Sequence, residues 1–224
     1  MKKKQGVSFC IAIITFLTFI VWTVLVCVVD VAPVGPQGSS VGFSTFNVFV
    51  RELTGFHAEL YVITDWLGCV PICVAAGFAI LGLVQLITRK NIKKIDKSII
   101  ILGYFYIVVI ALYFLFEFVV INYRPVIIEG MLEASYPSST TMLVMFVMPT
   151  ALMQFNSRIK KRFIKICVLV VIIIYTAFMV VCRLLSGVHW ITDIIGGAFI
   201  STSLISAYSF LTHISILFES RYAQ

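Results

Sequence analysis

The sequence predicts an all-α, polytopic membrane protein: a six-transmembrane-helix bundle with an interfacial helix between spans one and two. Three observations carry that expectation. Apolar residues make up 61% of the 224-residue chain and give a mean hydropathy of +1.07, against roughly 45 to 50% apolar residues in soluble domains. They fall in runs near residues 7–29, 60–88, 98–121, 140–155, 164–182 and 191–217, and a helix that crosses a bilayer needs about 20 of them. The basic residues, finally, gather between the runs.

Lys2, Lys3 and Lys4 precede the first run, Arg89, Lys90, Lys93, Lys94 and Lys97 follow the second, and Arg158, Lys160, Lys161, Arg162 and Lys165 follow the fourth. In a six-span chain these three blocks share one side. The positive-inside rule makes that side cytoplasmic, together with both termini, and turns the connections 30–59, 122–139 and 183–190 outward. The net charge of +7 is thereby explained by topology, so no nucleic-acid partner is expected. The partner is the bilayer, and the expected location is a bacterial plasma membrane. Without internal repeats or low-complexity stretches, residues 1–224 read as a single membrane-embedded domain.

Span one opens on KKKQGV and runs to Asp30 with no small-residue cleavage site, which fits an uncleaved span rather than a signal peptide. The loop DVAPVGPQGSSVGFS is rich in Pro, Gly and Ser. Thr45–Thr54 then mixes Phe46, Val48, Phe49, Val50 and Leu53 with Asn47, Arg51 and Glu52, the pattern of a short amphipathic helix lying in the interface as a lid or brace. Asp65 and Trp66 mark the outer edge of span two, where Pro71 is expected to kink the helix. Span three ends in FEFVVINYRP, with Glu117 inside the apolar run and Arg124 before the helix-ending Pro125. Span four is short, and the preceding MLEASYP is expected to extend the buried element. Its start, PSSTT from Pro137, has capping residues at Ser138, Ser139, Thr140 and Thr141, a helix N-terminus where an anion can rest. The six cysteines lie in or beside apolar runs without zinc-type pairing and are expected to pack in the core.

The chemistry concentrates in Arg183 to Asp193, RLLSGVHWITD. His189 and Asp193 are four residues apart, so on a helix beginning near His189 the carboxylate can orient the imidazole while the other ring nitrogen stays free to react. Arg183 offers a planar guanidinium shaped for phosphate oxygens. Arg124, the Ser138 helix start, Arg183 and His189 all fall on the side that the charge rule turns outward. No metal site is expected, since His57 and His213 belong to different elements at opposite membrane sides, and no cofactor is called for. Gly196 and Gly197, one turn beyond Asp193, are expected to let span six approach a neighbour closely.

At these residues the chain resembles the type 2 phosphatidic acid phosphatase family, six-span lipid phosphatases of the histidine-nucleophile phosphatase and haloperoxidase superfamily. The third family signature is matched by Arg183, His189 and Asp193, with Gly187 in place and Cys182 where a serine is usual. The first ends in Arg-Pro, matched by Arg124 and Pro125, and the second begins Pro-Ser, matched by Pro137 and Ser138. The resemblance implies His189 as nucleophile, Asp193 as its orienting partner, and Arg124 and Arg183 as phosphate clamps, with Ser138 and Ser139 beside the phosphate. Two positions depart from the family pattern: Glu117 stands where it carries a lysine that helps hold phosphate, and Thr140 stands where it carries a histidine that protonates the departing oxygen.

That second departure bears on substrate. General acid help is typically worth about 10² to 10⁴ in rate, and an alkoxide needs it far more than a phosphate leaving group. The expected reaction is therefore dephosphorylation of a lipid phosphate or diphosphate, with prenyl diphosphate favoured, at the outer face through a phosphohistidine intermediate and without a metal. Glu117, Glu129 or Glu133 are the replacement acids to consider, with Thr140 a possible polar contact in the position of the missing acid. The alternative is a catalytically impaired relative that binds a lipid phosphate or a partner as a regulatory or transport protein.

Overall fold

The computed structural model describes residues 2–222, with side chains described over 5–215. The chain is helical almost throughout: α1 (Lys2–Val28), α2 (Ser44–Thr54), α3 (Ala58–Leu67), α4 (Cys69–Arg89), α5 (Lys97–Phe118), α6 (Ser139–Arg158), α7 (Arg162–Leu185) and α8 (Ile191–Tyr222). The segments Gln5–Val28, Ala58–Arg89, Lys97–Phe118, Arg162–Leu185 and Ile191–Ser215 are long and apolar enough to cross a membrane. With α6 they make the six-helix bundle of an integral membrane protein.

The fourth predicted span is α6, and at 20 residues it is not short. It packs against α4, α5, α7 and α8, burying Met142, Val144, Phe146, Val147, Thr150, Ala151 and Gln154 around its circumference. A helix shielded by protein on several sides need not be uniformly apolar, which is why its sequence reads as the weakest span. The preceding MLEASYP does not extend it. Residues 122–135 instead form a hairpin-like loop, with bridges Tyr123 to Ala134 and Ile128 to Met131 and positive φ at both Glu129 and Gly130, the combination a two-residue primed turn requires.

In the second span the break falls at Gly68, between α3 and α4, and Pro71 sits buried in the first turn of α4. Proline removes one i to i−4 hydrogen bond. The carbonyl thus freed, Leu67 O, accepts from Tyr175 Oη of α7 at 2.8 Å, so the break becomes a helix-to-helix tie. The cysteines differ from expectation. Cys182 is buried, whereas Cys10, Cys27, Cys69, Cys73 and Cys167 are exposed on the helix surfaces, because a membrane bundle is apolar outside as well as inside.

At the end of the bundle that carries the basic connections, Asp96 accepts from Arg89 at 3.0 Å and Arg158 at 3.2 Å. At the other end α2 lies across the start of α8. It turns Phe46, Phe49 and Leu53 outward and buries Ser44 and Asn47, the reverse of a soluble surface helix and the orientation expected of a helix in the membrane interface. Asn47 bonds reciprocally with Thr192, donating from Nδ2 to Oγ1 at 3.0 Å and accepting from its N–H at 3.3 Å. Under α2, a Cβ on Gly196 would stand 2.6 Å from the Tyr136 ring, so this glycine permits the contact between α8 and the segment leading into α6.

Candidate active site

His189 lies in the connection between α7 and α8, 4% exposed. Its Nδ1 is 3.1 Å from the carbonyl oxygen of Ser135. A carbonyl can only accept, so Nδ1 carries the proton and Nε2 carries the lone pair. Nε2 is buried with no hydrogen-bond partner, and His189 lines a cavity of about 260 Å³ together with Arg124, Glu117, Glu133 and Ser139. Burial, followed by the nearby charges of Arg183 and Arg124, holds the imidazole well below its ordinary pKa. The ring is therefore neutral near pH 7, with an uncommitted lone pair on Nε2, and it lines a cavity that a guanidinium also lines.

Asp193 is fully buried and stands 3.7 Å from His189 Nδ1 through Oδ2. That oxygen accepts from the backbone N–H of Trp190 at 2.9 Å, the reach of a third-position carboxylate back to the helix cap. Its Oδ1 accepts from Asn122 Nδ2 at 3.3 Å. The expected orienting bond is thus longer than a hydrogen bond, and Ser135 supplies the direct one. The carboxylate remains close enough to stabilise positive charge that develops on the ring.

The hairpin-like loop builds the opposite wall. Arg124 N–H donates to the Glu133 carbonyl at 3.0 Å, and Ser135 N–H to the Asn122 carbonyl at 2.9 Å, which fixes Arg124 across from Glu133 and Asn122 across from Ser135. Between their side chains Arg124 Nε is 3.0 Å from Glu133 Oε2, while Arg124 Nη1 is buried without a hydrogen-bond partner. Trp190 Nε1 donates to the Tyr123 carbonyl at 2.8 Å, tying this loop to the one that carries His189. Above Trp190 the guanidinium of Arg51 stacks at 5.6 Å from the ring centroid.

Arg183 is 2% exposed and reaches toward α3. Its Nη1 donates to Thr64 Oγ1 at 3.1 Å, its Nη2 is 4.0 Å from Asp65 Oδ1, and its Cζ lies 5.1 Å from the Tyr61 ring centroid. It acts on His189 electrostatically but does not line the same cavity. The other predicted residues separate. Ser139 faces the cavity, whereas Ser138 is fully buried, caps α6 by accepting from Thr141 N–H at 3.4 Å, and donates its own N–H to the Asp193 carbonyl at 3.0 Å. Glu117 and Glu133 line the cavity, but Glu129 sits at the turn tip and does not.

Thr140 does not line it either. It belongs to an apolar groove of about 580 Å³ between α4, α5 and α6, lined among others by Ile72, Ala75, Val109, Leu143 and Val147. Tyr113, Ser139 and Met142 line both the groove and the cavity, so the two adjoin. The sequence reading missed Asn122, Ser135 and the α3 cradle of Arg183. A lone amide at the end of an apolar run was the available signal for Asn122; Ser135 acts through its backbone and left none.

Residues 117–214 match the family model of the PAP2 superfamily. The fold is similar to that in the crystal structure of the first transmembrane PAP2 type phosphatidylglycerolphosphate phosphatase from Bacillus subtilis, with a TM-score of 0.59, 15% identity, and coverage of 90% of this chain and 96% of that one. No curated protein matches the chain. The matched residues contain His189, Asp193, both candidate phosphate-binding arginines and the cavity-lining carboxylates, so it is the part of the chain carrying the candidate site that is similar to the PAP2 superfamily.

Proposed function

We propose that the protein hydrolyses a membrane lipid phosphate or diphosphate through a phosphohistidine intermediate on His189, with the reaction at the outer face of the membrane. The observation that carries this reading is the free, buried Nε2 of His189 in a cavity shared with Arg124. Nε2 attacks phosphorus, the bond from phosphorus to the leaving oxygen breaks, and the phosphorylated ring, still protonated at Nδ1, gains a positive charge that Asp193 at 3.7 Å stabilises. Water then cleaves the N–P bond, releasing phosphate and restoring the neutral imidazole. Arg124 and Arg183 supply positive potential for the phosphoryl oxygens. The adjoining groove suits an acyl or prenyl chain entering sideways from the bilayer. The outer-face assignment rests on the basic connections at the opposite end of the bundle.

Prenyl diphosphate is the favoured substrate because Thr140, in the groove, offers no acid to an alkoxide leaving group. The test is phosphate release by the purified protein in detergent from a prenyl diphosphate, its monophosphate, phosphatidic acid and phosphatidylglycerol phosphate, with His189→Ala as control. Turnover of the diphosphate, its loss in the control and an acid-labile, base-stable phosphoenzyme are expected. Activity unchanged in His189→Ala would end the nucleophile assignment, and equal turnover of diphosphate and monophosphate would end the leaving-group argument.

A further inference from the structure

Two apolar hollows follow one another along the seam between α4 and α5. The outer one is the groove of about 580 Å³ that adjoins the cavity at Tyr113, Ser139 and Met142. The inner one, of about 320 Å³, lies toward the basic connection that joins the two helices. Because α4 and α5 run in opposite directions, the outer groove takes the first part of α4, with Ile72 and Ala75, and the last part of α5, with Val109 and Ile110. The inner hollow takes the remainder of each, from Phe78 to Leu86 and from Ile99 to Gly103. Among the described residues Tyr106 is the lining residue that the two share, so its ring stands where they meet. That ring is held edge-on against Phe146 of α6, with centroids 6.1 Å apart and planes at 88°. The polar residues of the groove, Asp65, Ser139 and Thr140, gather at its outer end, and the walls beyond them are apolar. Along α5, Tyr106 lies about 16 Å deeper than the cavity-lining Glu117, close to the depth of one leaflet, about 15 Å. A lipid whose phosphate lies beside His189 would lay its tail in this groove and meet Tyr106 near the middle of the bilayer.

We propose that Tyr106 sets the tail length that the protein prefers: its ring closes the groove, so that a prenyl tail is packed as far as Tyr106 and the carbons beyond it stay among the bilayer lipids. The proposal rests on the phosphatase reading above and commits the groove to the tail of the substrate whose diphosphate lies beside His189. Packing carries the preference, because the tail is in apolar surroundings whether or not it enters the groove. Each isoprene unit that reaches the groove adds contacts with its walls, and each unit beyond Tyr106 adds none. A small side chain in place of the ring would join the groove to the inner hollow, where Ala79, Gly82 and Gly103 leave room and a Cβ on Gly103 would meet nothing within 4 Å. The next units of a longer tail would then find walls to pack against.

The experiment takes two readouts from the purified protein in detergent. The first is kcat/KM for phosphate release from geranyl, farnesyl, geranylgeranyl and longer prenyl diphosphates. Each value is expressed as the ratio of variant to wild type, so that the share of substrate held by the micelle cancels. For Tyr106→Ala and Tyr106→Leu this ratio is expected to climb severalfold along the series once the chain outgrows the groove. For Tyr106→Trp it is expected to fall, and for Tyr106→Phe, which keeps the ring, to stay level. A ratio that is level along the series for both Tyr106→Ala and Tyr106→Leu overturns the proposal. The second readout needs no turnover: a prenyl diphosphate with a photoreactive group at the end of a long tail is cross-linked, and the labelled peptides are identified. In the wild type and Tyr106→Phe the label is expected around Val109 and Val147, and in Tyr106→Ala it should extend to Ile99 and Gly103. The same labelling in Tyr106→Ala as in the wild type overturns the proposal. So does labelling that excess unlabelled prenyl diphosphate fails to compete away, which would mean that ordinary bilayer lipid fills the groove. Phosphate release lost with every substrate, or unchanged in His189→Ala, would overturn the phosphatase reading instead, while the expected shift in labelling would still uphold the role of Tyr106.

Discussion

His189 Nδ1 lies 3.1 Å from the Ser135 carbonyl and 3.7 Å from Asp193 Oδ2, so a backbone group aims the ring and the carboxylate flanks it. Asp193→Asn keeps one acceptor oxygen, enough for the Trp190 N–H or for Asn122 but not for both, and removes the charge beside the ring while Ser135 still aims it. The expected result is a fall in kcat of about 10 to 10², the range for supporting groups around a reactive histidine, with KM changed less than threefold. A fall near 10⁴, as when a carboxylate fixes the tautomer, would show that Asp193 and not Ser135 aims the ring.

Asn122 serves both sides of the ring. Its side chain donates to Asp193 at 3.3 Å, and its carbonyl accepts from Ser135 N–H at 2.9 Å and Ser135 Oγ at 3.1 Å. Asn122→Ala keeps the carbonyl and deletes the side chain, so Ser135 stays while Asp193 loses a buried partner. A kcat reduction of about tenfold is expected, with partial rescue in Asn122→Ser and with KM nearly constant. Loss expressed mainly in KM would place Asn122 on the substrate instead.

The acid limb of the pH profile should reflect the field of the arginines. Burial, followed by Arg183 and Arg124, holds His189 well below the ordinary imidazole range, so the ring takes up a proton only at more acidic pH. In the free enzyme the acid limb of kcat/KM is therefore expected below 6.5. In the complex, bound phosphate cancels part of the arginine potential, and the acid limb of kcat moves upward. Arg124→Ala should raise the limb of kcat/KM toward the ordinary imidazole range. An unshifted limb would mean that another group titrates.

These relationships show what a sequence can reveal about such a site. Arg183, His189 and Asp193 are legible because fixed spacing near a helix start puts them at one end of the bundle, and because charge between apolar runs is conspicuous. Ser135 is illegible for the opposite reason: it acts through a carbonyl that every residue possesses. Thr64 and Tyr61 of α3, which ends at the Gly68 break, hold Arg183 from more than a hundred residues away. Thr140 shows the converse failure. Its place in a signature suggested the site, while the turn of α6 puts it in the apolar groove. The Arg51 stack on Trp190 likewise depends on how α2 rolls across α8, which periodicity alone does not fix.

Gly187 is the backbone hinge of the His189 loop. Its φ is +69°, and a Cβ there would stand 2.6 Å from Gly55 O and 3.1 Å from Phe56 Cα. Both conflicts are with backbone, which cannot swing aside as a side chain can. Gly187→Ala should cost about 2 kcal/mol, lower Tm by roughly 5 °C and reduce kcat at least tenfold. The control is Gly103→Ala in α5, where a Cβ meets nothing within 4 Å; thermal unfolding in detergent should leave it at or above the wild type. Equal Tm values for the two variants would remove the close approach as the reason for the glycine.

The groove between α4, α5 and α6 makes a prediction about chain length. Ala75 is a small residue in its wall, and Ser139, Met142 and Tyr113 form its junction with the cavity. Ala75→Phe fills part of the groove without approaching His189. For substrates with long prenyl or acyl chains KM should rise severalfold, because displaced methylenes lose their packing contacts in the groove although they stay in an apolar surrounding. For a short, water-soluble phosphate that never enters the groove, kcat/KM should stay within twofold of the wild type. A uniform loss across chain lengths would mean that the substitution disturbs α6 and hence the site, and an unchanged KM for the long chains would place the lipid tail elsewhere on the bundle.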